Sequence, residues 1–177
     1  MRMRKRILFF FIIIIINRVI VIEGYEPEEV KVALILRILE YTHWSNIDTD
    51  SIFYMGVIGG GKILKYLNKI PDDYVIKGRK IKVNKISRNI KSIKKIKQYR
   101  VIVIPKEVKV SKKDIENIIK YNRNILLISE DIENCCDNIL VSFFIKEGAI
   151  RFKIYFENMP VFNISFDETL LRYAYEK

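Results

Sequence analysis

Residues 30–44, VKVALILRILEYTHW, limit the fold more than any other stretch of this chain. Apolar side chains recur there at helical spacing over four turns, which marks a helix made for burial. The residues just ahead, YEPEE at 25–29, supply its start. Proline suits the first helical turn, and acids there complement the positive end of the helix dipole. On a 100° wheel Val32, Ile35, Leu36 and Leu39 form one strong stripe, while Leu34, Ile38 and Tyr41 lie off it. Only Lys31, Arg37 and Glu40 are charged in the middle. Such a helix is expected to be covered on more than one side, by its own domain and by a partner. The candidate partner contacts are Lys31, Leu34, Ile38, Tyr41 and Trp44. Trp44 has two readings: core beneath the helix, or an interface anchor of the kind frequent among binding hot spots.

The rest of the chain shows what this helix packs on. Residues 52–58 form an apolar strand, Gly59-Gly60-Gly61-Lys62 turns the chain, and residues 63–70 have a helical period. Strand, glycine turn and helix open a parallel βαβ unit. Gly78-Arg79-Lys80 leads into a half-exposed strand at 81–86, and a short helical piece follows at 90–96 with its lysines outward. A buried strand at 101–104 stops at Pro105. The pattern Ser111-Lys112-Lys113-Asp114 caps a helix whose inner face is Ile115, Ile118 and Ile119. Another buried strand at 125–128 ends in Ser129-Glu130-Asp131. Strands at 139–145 and 150–156 flank Lys146-Glu147-Gly148-Ala149, a hairpin signal. A last helix at 167–175 turns Leu170, Leu171 and Ala174 inward. The expectation is one three-layer α/β domain over residues 25–177. Its sheet is mixed and mostly parallel, with a C-terminal antiparallel hairpin and helices on both faces.

Residues 1–24 are set apart. MRMRKR is a basic start, and ten unbroken apolar residues follow at 7–16. That run fits a secretory signal and is shorter than the roughly 20 residues that span a bilayer. The segment is therefore expected to export the chain to the periplasm, as a signal peptide or as an N-terminal membrane anchor. Gly24 is small enough for a cleavage position, but Ile22 is not a small residue two places before it.

Cys135 and Cys136 are the two cysteines and stand side by side. A bond between neighbours closes a strained ring. Free thiols, an intermolecular bridge and a redox sensor are the remaining readings.

The formal charge is +11, of which residues 25–177 keep +7 after five basic residues and one acid at 1–24 are set aside. Much of it lies in residues 77–100, where lysine alternates with isoleucine. The plain reading is a solvated face; the functional one is an anionic partner such as a lipid headgroup or an acidic protein. Zinc-finger spacing and aromatic-rich basic strands are both missing from the sequence, so no nucleic-acid partner is expected.

The glycine turn is not a Walker loop, because Ile63 stands where a magnesium-binding Ser or Thr belongs. Leu64 takes the last glycine position of GxGxxG. A tight turn is the plain reading, and a backbone anion site at Gly59, Gly60, Gly61 and Lys62 is the functional one. His43 is the single histidine, a packing or capping residue at a helix end. A dyad of Cys135 or Cys136 with His43 has no supporting spacing. No catalytic residue, metal or cofactor is expected, and the chain is not expected to be an enzyme.

In order along the chain, these landmarks resemble the YfiR-like family (DUF4154) of small periplasmic regulators. The helix with a lysine, an alanine and a terminal tryptophan is similar to Val30, Lys31, Ala33 and Trp44. Gly56-Val57-Ile58-Gly59 resembles the family's strand ending in glycine, and Gly78-Arg79-Lys80-Ile81-Lys82-Val83 its glycine, basic residue and strand. Leu126-Leu127-Ile128-Ser129-Glu130-Asp131, Arg151-Phe152-Lys153-Ile154 and Leu170-Leu171-Arg172-Tyr173-Ala174 resemble its later motifs. Ser45 stands where the family has proline after the tryptophan. The glycine pair before the penultimate strand is missing near Asn138 and Ile139. Adjacent cysteines cannot form the distant disulfides of the best-known member.

The resemblance implies action by binding, in the periplasm. Studied members restrain a membrane-bound diguanylate cyclase through its periplasmic portion, and release raises cyclic-di-GMP and favours biofilm. Related domains serve as input modules of sensor kinases. The implied partner is therefore the periplasmic part of such a cyclase or kinase, with a homodimer as a further expectation. The alternative is a periplasmic solute- or anion-binding module without a regulatory partner.

Overall fold

Pro27 and the two glutamates after it open helix α1 (Pro27–Glu40), whose first turn has no side-chain cap. Strand β1 (Thr42–Trp44) follows at once, then β2 (Ile52–Ile58), α2 (Gly61–Leu67), β3 (Val75–Ile76) and β4 (Arg79–Ile86). A 3-10 helix (Ile93–Gln98) leads into β5 (Tyr99–Ile104), α3 (Lys112–Tyr121) and β6 (Leu126–Ser129). The chain ends with β7 (Val141–Lys146), β8 (Ala149–Ile154), a second 3-10 helix (Phe156–Val161), β9 (Ile164–Phe166) and α4 (Glu168–Leu171). The computed structural model describes residues 25–45, 51–88, 93–133 and 137–174. The export segment at 1–24, Cys135 and Cys136, and the first part of the helical piece at 90–96 lie outside the described residues.

Seven strands form the main sheet in the order β3-β4-β2-β5-β6-β7-β8. The five from β4 to β7 run parallel; β3 and β8 lie antiparallel at the two edges. Both edges are built by two-residue turns with positive φ, Lys77-Gly78 at 51° and 77° and Glu147-Gly148 at 53° and 74°. That geometry matches the twist of a hairpin. The α/β class, the mixed sheet and the C-terminal hairpin all stand as the sequence implied.

The crossovers set the layers. From β2 the chain steps to β4 on one side, then back past β2 to β5, β6 and β7. Right-handed connections place α2 on one face and the first 3-10 helix with α3 on the other. Helix α1 packs beside α2. Strands β5 and β6 are thereby covered twice, and Val101, Ile102, Val103, Leu126, Leu127 and Ile128 are wholly buried. Each such side chain contributes about 1.5–3 kcal/mol relative to exposure. The step direction reverses between β2 and β5, which is where open α/β sheets place their ligand crevices.

Three features depart from the sequence reading. The helix expected to run on past Tyr41 stops at Glu40, and Thr42 Oγ1 donates to the Ile38 carbonyl at 2.7 Å. The chain there becomes β1, paired antiparallel with β9 in a separate two-stranded ribbon. Three-residue strands carry no period, so neither was legible. The strand expected to reach residue 156 ends at Ile154, because the Tyr155 N–H turns back to the Leu140 carbonyl at 2.9 Å. The final helix, expected over 167–175, is a four-residue turn capped by the Asp167 side chain on the Thr169 N–H.

Candidate functional site

Helix α1 runs past both ends of the sheet, and its residues meet different chemistry at each. At the carboxyl end of the strands, Lys31 points inward from α1. Its Nζ donates to Glu130 Oε1 at 2.9 Å, with the two side chains only 10% and 2% exposed. Glu130 stands just past β6, and its N–H bonds the Ile104 carbonyl. Burial raises the Glu130 pKa above the ordinary carboxylate value, and the Lys31 hydrogen bond and charge act against that rise. A lone lysine in an otherwise apolar helix calls for a buried counter-ion. Glu130 is that counter-ion, and the sequence reading did not assign it.

The glycine turn lies at the same end. Gly59, Gly60 and Gly61 all have positive φ, at 70°, 100° and 78°. A Cβ on Gly61 would lie 3.0 Å from Pro105 Cβ and 3.1 Å from Glu107 Oε2. The turn is thus pressed against the segment after β5, at the switch point itself. Lys62 beside it reaches Glu26 at 2.8 Å and Glu28 at 3.1 Å. Hydrogen bonds to Glu26 and then Glu28 raise the Lys62 pKa. Burial works against ionisation of Glu28, but Lys62 and the Glu28 backbone hold its carboxyl below the usual range. So the place an anion would take beside Lys62 is occupied by two carboxylates of the chain's own α1 start. Gly59, Gly60, Gly61 and Lys62 are brought together, and what faces their cation is internal.

The outward side of α1 carries Val30, Leu34, Arg37 and Tyr41, spaced as one helical stripe. Val30 is 37% exposed; Leu34, Arg37 and Tyr41 are half-buried. The Arg37 guanidinium sits 4.3 Å from the Tyr41 ring centre and bonds Glu40 at 3.0 Å. Tyr74 lies beside them, its hydroxyl 3.4 Å from Glu40. Burial and then the Glu40 charge push the Tyr74 pKa up to about 12.

Of the five residues expected to meet a partner, only Leu34 and Tyr41 reach this surface. Lys31 is held in its ion pair. Ile38 has no exposed surface, which corrects the expectation that its side of the helix awaits a second protein. Helix α2 and the sheet between them cover more of α1 than one stripe accounts for. Trp44 is core: its ring meets Phe53 edge to face with centres 5.3 Å apart, and it is 6% exposed.

At the amino end of the strands, the β1–β9 ribbon brings His43 Nε2 to 3.9 Å from Asp167 Oδ2, both exposed. Lys77 donates to the Thr42 carbonyl and lies 5.7 Å from the Trp44 ring centre. Burial lowers the Lys77 pKa, and the Asp167 charge opposes that. Among the described residues, no group of three or more His, Cys, Asp or Glu could hold a metal ion. Nor is any helix among them long and apolar enough to cross a membrane.

Residues 28–175 match the family described as YfiR/HmsC-like (DUF4154). The match takes in every element from α1 to α4, and the chain belongs to this family. Membership supports a role as a periplasmic regulator of diguanylate cyclase signalling, in a family of regulators rather than enzymes. A search of curated proteins finds no match.

Proposed function

We propose that this protein binds the periplasmic part of an inner-membrane diguanylate cyclase and restrains its output. The family match over residues 28–175 carries the reading. The outward stripe of α1 is the proposed contact, with Leu34 and Tyr41 touching the partner beside Val30 and Arg37. Lys31, Ile38 and Trp44 lie beneath and fix the helix that presents them. A half-apolar stripe with an arginine stacked on a tyrosine has the composition of a binding surface, where aromatic residues and arginine are enriched. The N-terminal segment would deliver the domain to the compartment where such a partner is reachable.

Affinity capture of the full chain from intact envelopes tests this. The wild type is expected to recover a membrane protein with diguanylate cyclase output. Val30→Asp and Tyr41→Asp are expected to cut recovery by at least about tenfold while the unfolding midpoint holds, as truncating hot-spot contacts does elsewhere. A capture that repeatedly recovers no such cyclase would sink the reading. Undiminished recovery by both variants would move the contact off α1.

A further inference from the structure

The positive charge of the domain is confined to one region. Residues 77–100 hold eleven basic residues and no acid, whereas the rest of residues 25–177 holds sixteen basic and twenty acidic. The fold gathers that stretch at one side of the sheet, as β4, the first 3-10 helix and the start of β5. Strand β3 pairs only with Arg79 and Lys80, so the remainder of β4 is an open edge. Lys80 and Lys82 stand on the face where Tyr54 and Tyr99 meet edge to face. Lys85 lies on the other face, near Gly60. Lys80, Lys82, Lys85, Arg88 and Lys97 are all exposed. None of the five is ion-paired among the described residues, whereas Lys31, Lys62, Lys69 and Lys112 elsewhere each hold a carboxylate.

Two simpler accounts explain only part of this. Charges on an open strand edge prevent edge-to-edge association, which covers Lys82 and Lys85. It does not cover Arg88 and Lys97, beyond the strand. A protein partner is disfavoured by the residue type: eight of the eleven are lysine, which is depleted at protein interfaces. Lysine is well suited to a fluid anionic surface, where each ammonium gains from the field without a fixed geometry. We propose that β4 and the 3-10 helix after it form a docking face for anionic phospholipid headgroups, setting the domain edge-on against a membrane. The proposal stands on charge, exposure and topology alone and does not depend on the cyclase reading.

Co-sedimentation of the full chain with vesicles tests it, since residues 1–24 then contribute equally to every variant. Binding is expected to rise when phosphatidylglycerol is mixed into phosphatidylcholine and to fall with added salt. The variant K80A/K82A/K85A/K97A is expected to partition at least about tenfold more weakly onto the mixed vesicles, given the gain per lysine near an anionic surface. The variant K65A/K109A/K113A/K120A removes equal charge elsewhere and is expected to partition as the wild type does. Equal loss in both variants would show net charge acting without a face and would overturn the proposal. So would wild-type binding that ignores phosphatidylglycerol, or binding to polyglutamate but not to vesicles, which would assign the face to an acidic protein.

Discussion

The two ends of the sheet are closed by opposite means, though helix α1 and the chain that follows it serve both. At the carboxyl end the closure is ionic: Lys31 with Glu130, and Lys62 with Glu26 and Glu28. At the amino end it is largely apolar, with Trp44 on Phe53 beneath the β1–β9 ribbon and Phe162 and Ile164 buried nearby. An apolar seal depends on shape and area and is indifferent to pH. An ionic seal depends on its partners remaining charged, and losing one partner costs more than losing both. The sheet's switch point therefore lies at the end whose closure responds to charge.

Trp44→Ala is expected to have the largest effect. Loss of a buried indole costs about 3–5 kcal/mol, through lost transfer energy and the cavity left behind. Chemical denaturation followed by circular dichroism measures it, because the substitution removes the only tryptophan. The loss is expected to be the same at pH 5 and pH 7, to about 0.5 kcal/mol. A strong pH dependence there would break the contrast between the two ends.

Lys31→Met comes next, at about 3 kcal/mol at neutral pH, near the low end for a broken buried pair because the lysine side chain keeps 10% exposure. Adding Glu130→Leu is expected to restore most of that loss. The pH dependence has a definite sign. The folded state raises the Glu130 pKa above its ordinary 4.5, so its contribution to stability is greatest below that value. The contribution declines as pH rises through the window up to the raised folded value. Removing Lys31 takes away a lowering influence and widens the window upward. The deficit of Lys31→Met should then shrink on acidification from neutral toward the ordinary value. A deficit that is flat with pH, or unrelieved by the second substitution, would mean that the pair acts by packing alone.

Gly61→Ala is the smallest of the three. A φ of 78° and a Cβ placed 3.0 Å from Pro105 predict a loss of about 1–3 kcal/mol. The loss is expected to be additive with Trp44→Ala, at the far end of the sheet, and coupled to Lys31→Met, at the same end. Double-mutant cycles by denaturation would show whether the carboxyl end behaves as one unit.

Much of this was legible in the sequence for a physical reason. Strands buried on both faces are continuous apolar runs, as at Val101 to Ile104, and helix α3 shows a three-four spacing of isoleucines behind a serine that caps Asp114. Both patterns are local consequences of burial. The glycine turn after β2 and the Glu147-Gly148 hairpin were legible because their backbone angles favour glycine. The ribbon of β1 and β9 was not, since its stability comes from pairing across more than a hundred residues of chain.

The candidate site divides along the same line. The sequence by itself determined that α1 is helical, apolar and interrupted by one lysine, that a glycine turn ends β2, and that charge piles up between residues 77 and 100. Only the tertiary structure decided which side chain answers each of these. It sends Lys31 to Glu130 across 99 positions, gives Lys62 to the carboxylates of α1, encloses Ile38, and leaves Lys80, Lys82, Lys85 and Lys97 facing outward without a carboxylate. Helical period and turn chemistry act between near neighbours and are written in the order of residues. Pairing of buried charges and the covering of a helix face depend on which distant segments the sheet brings together.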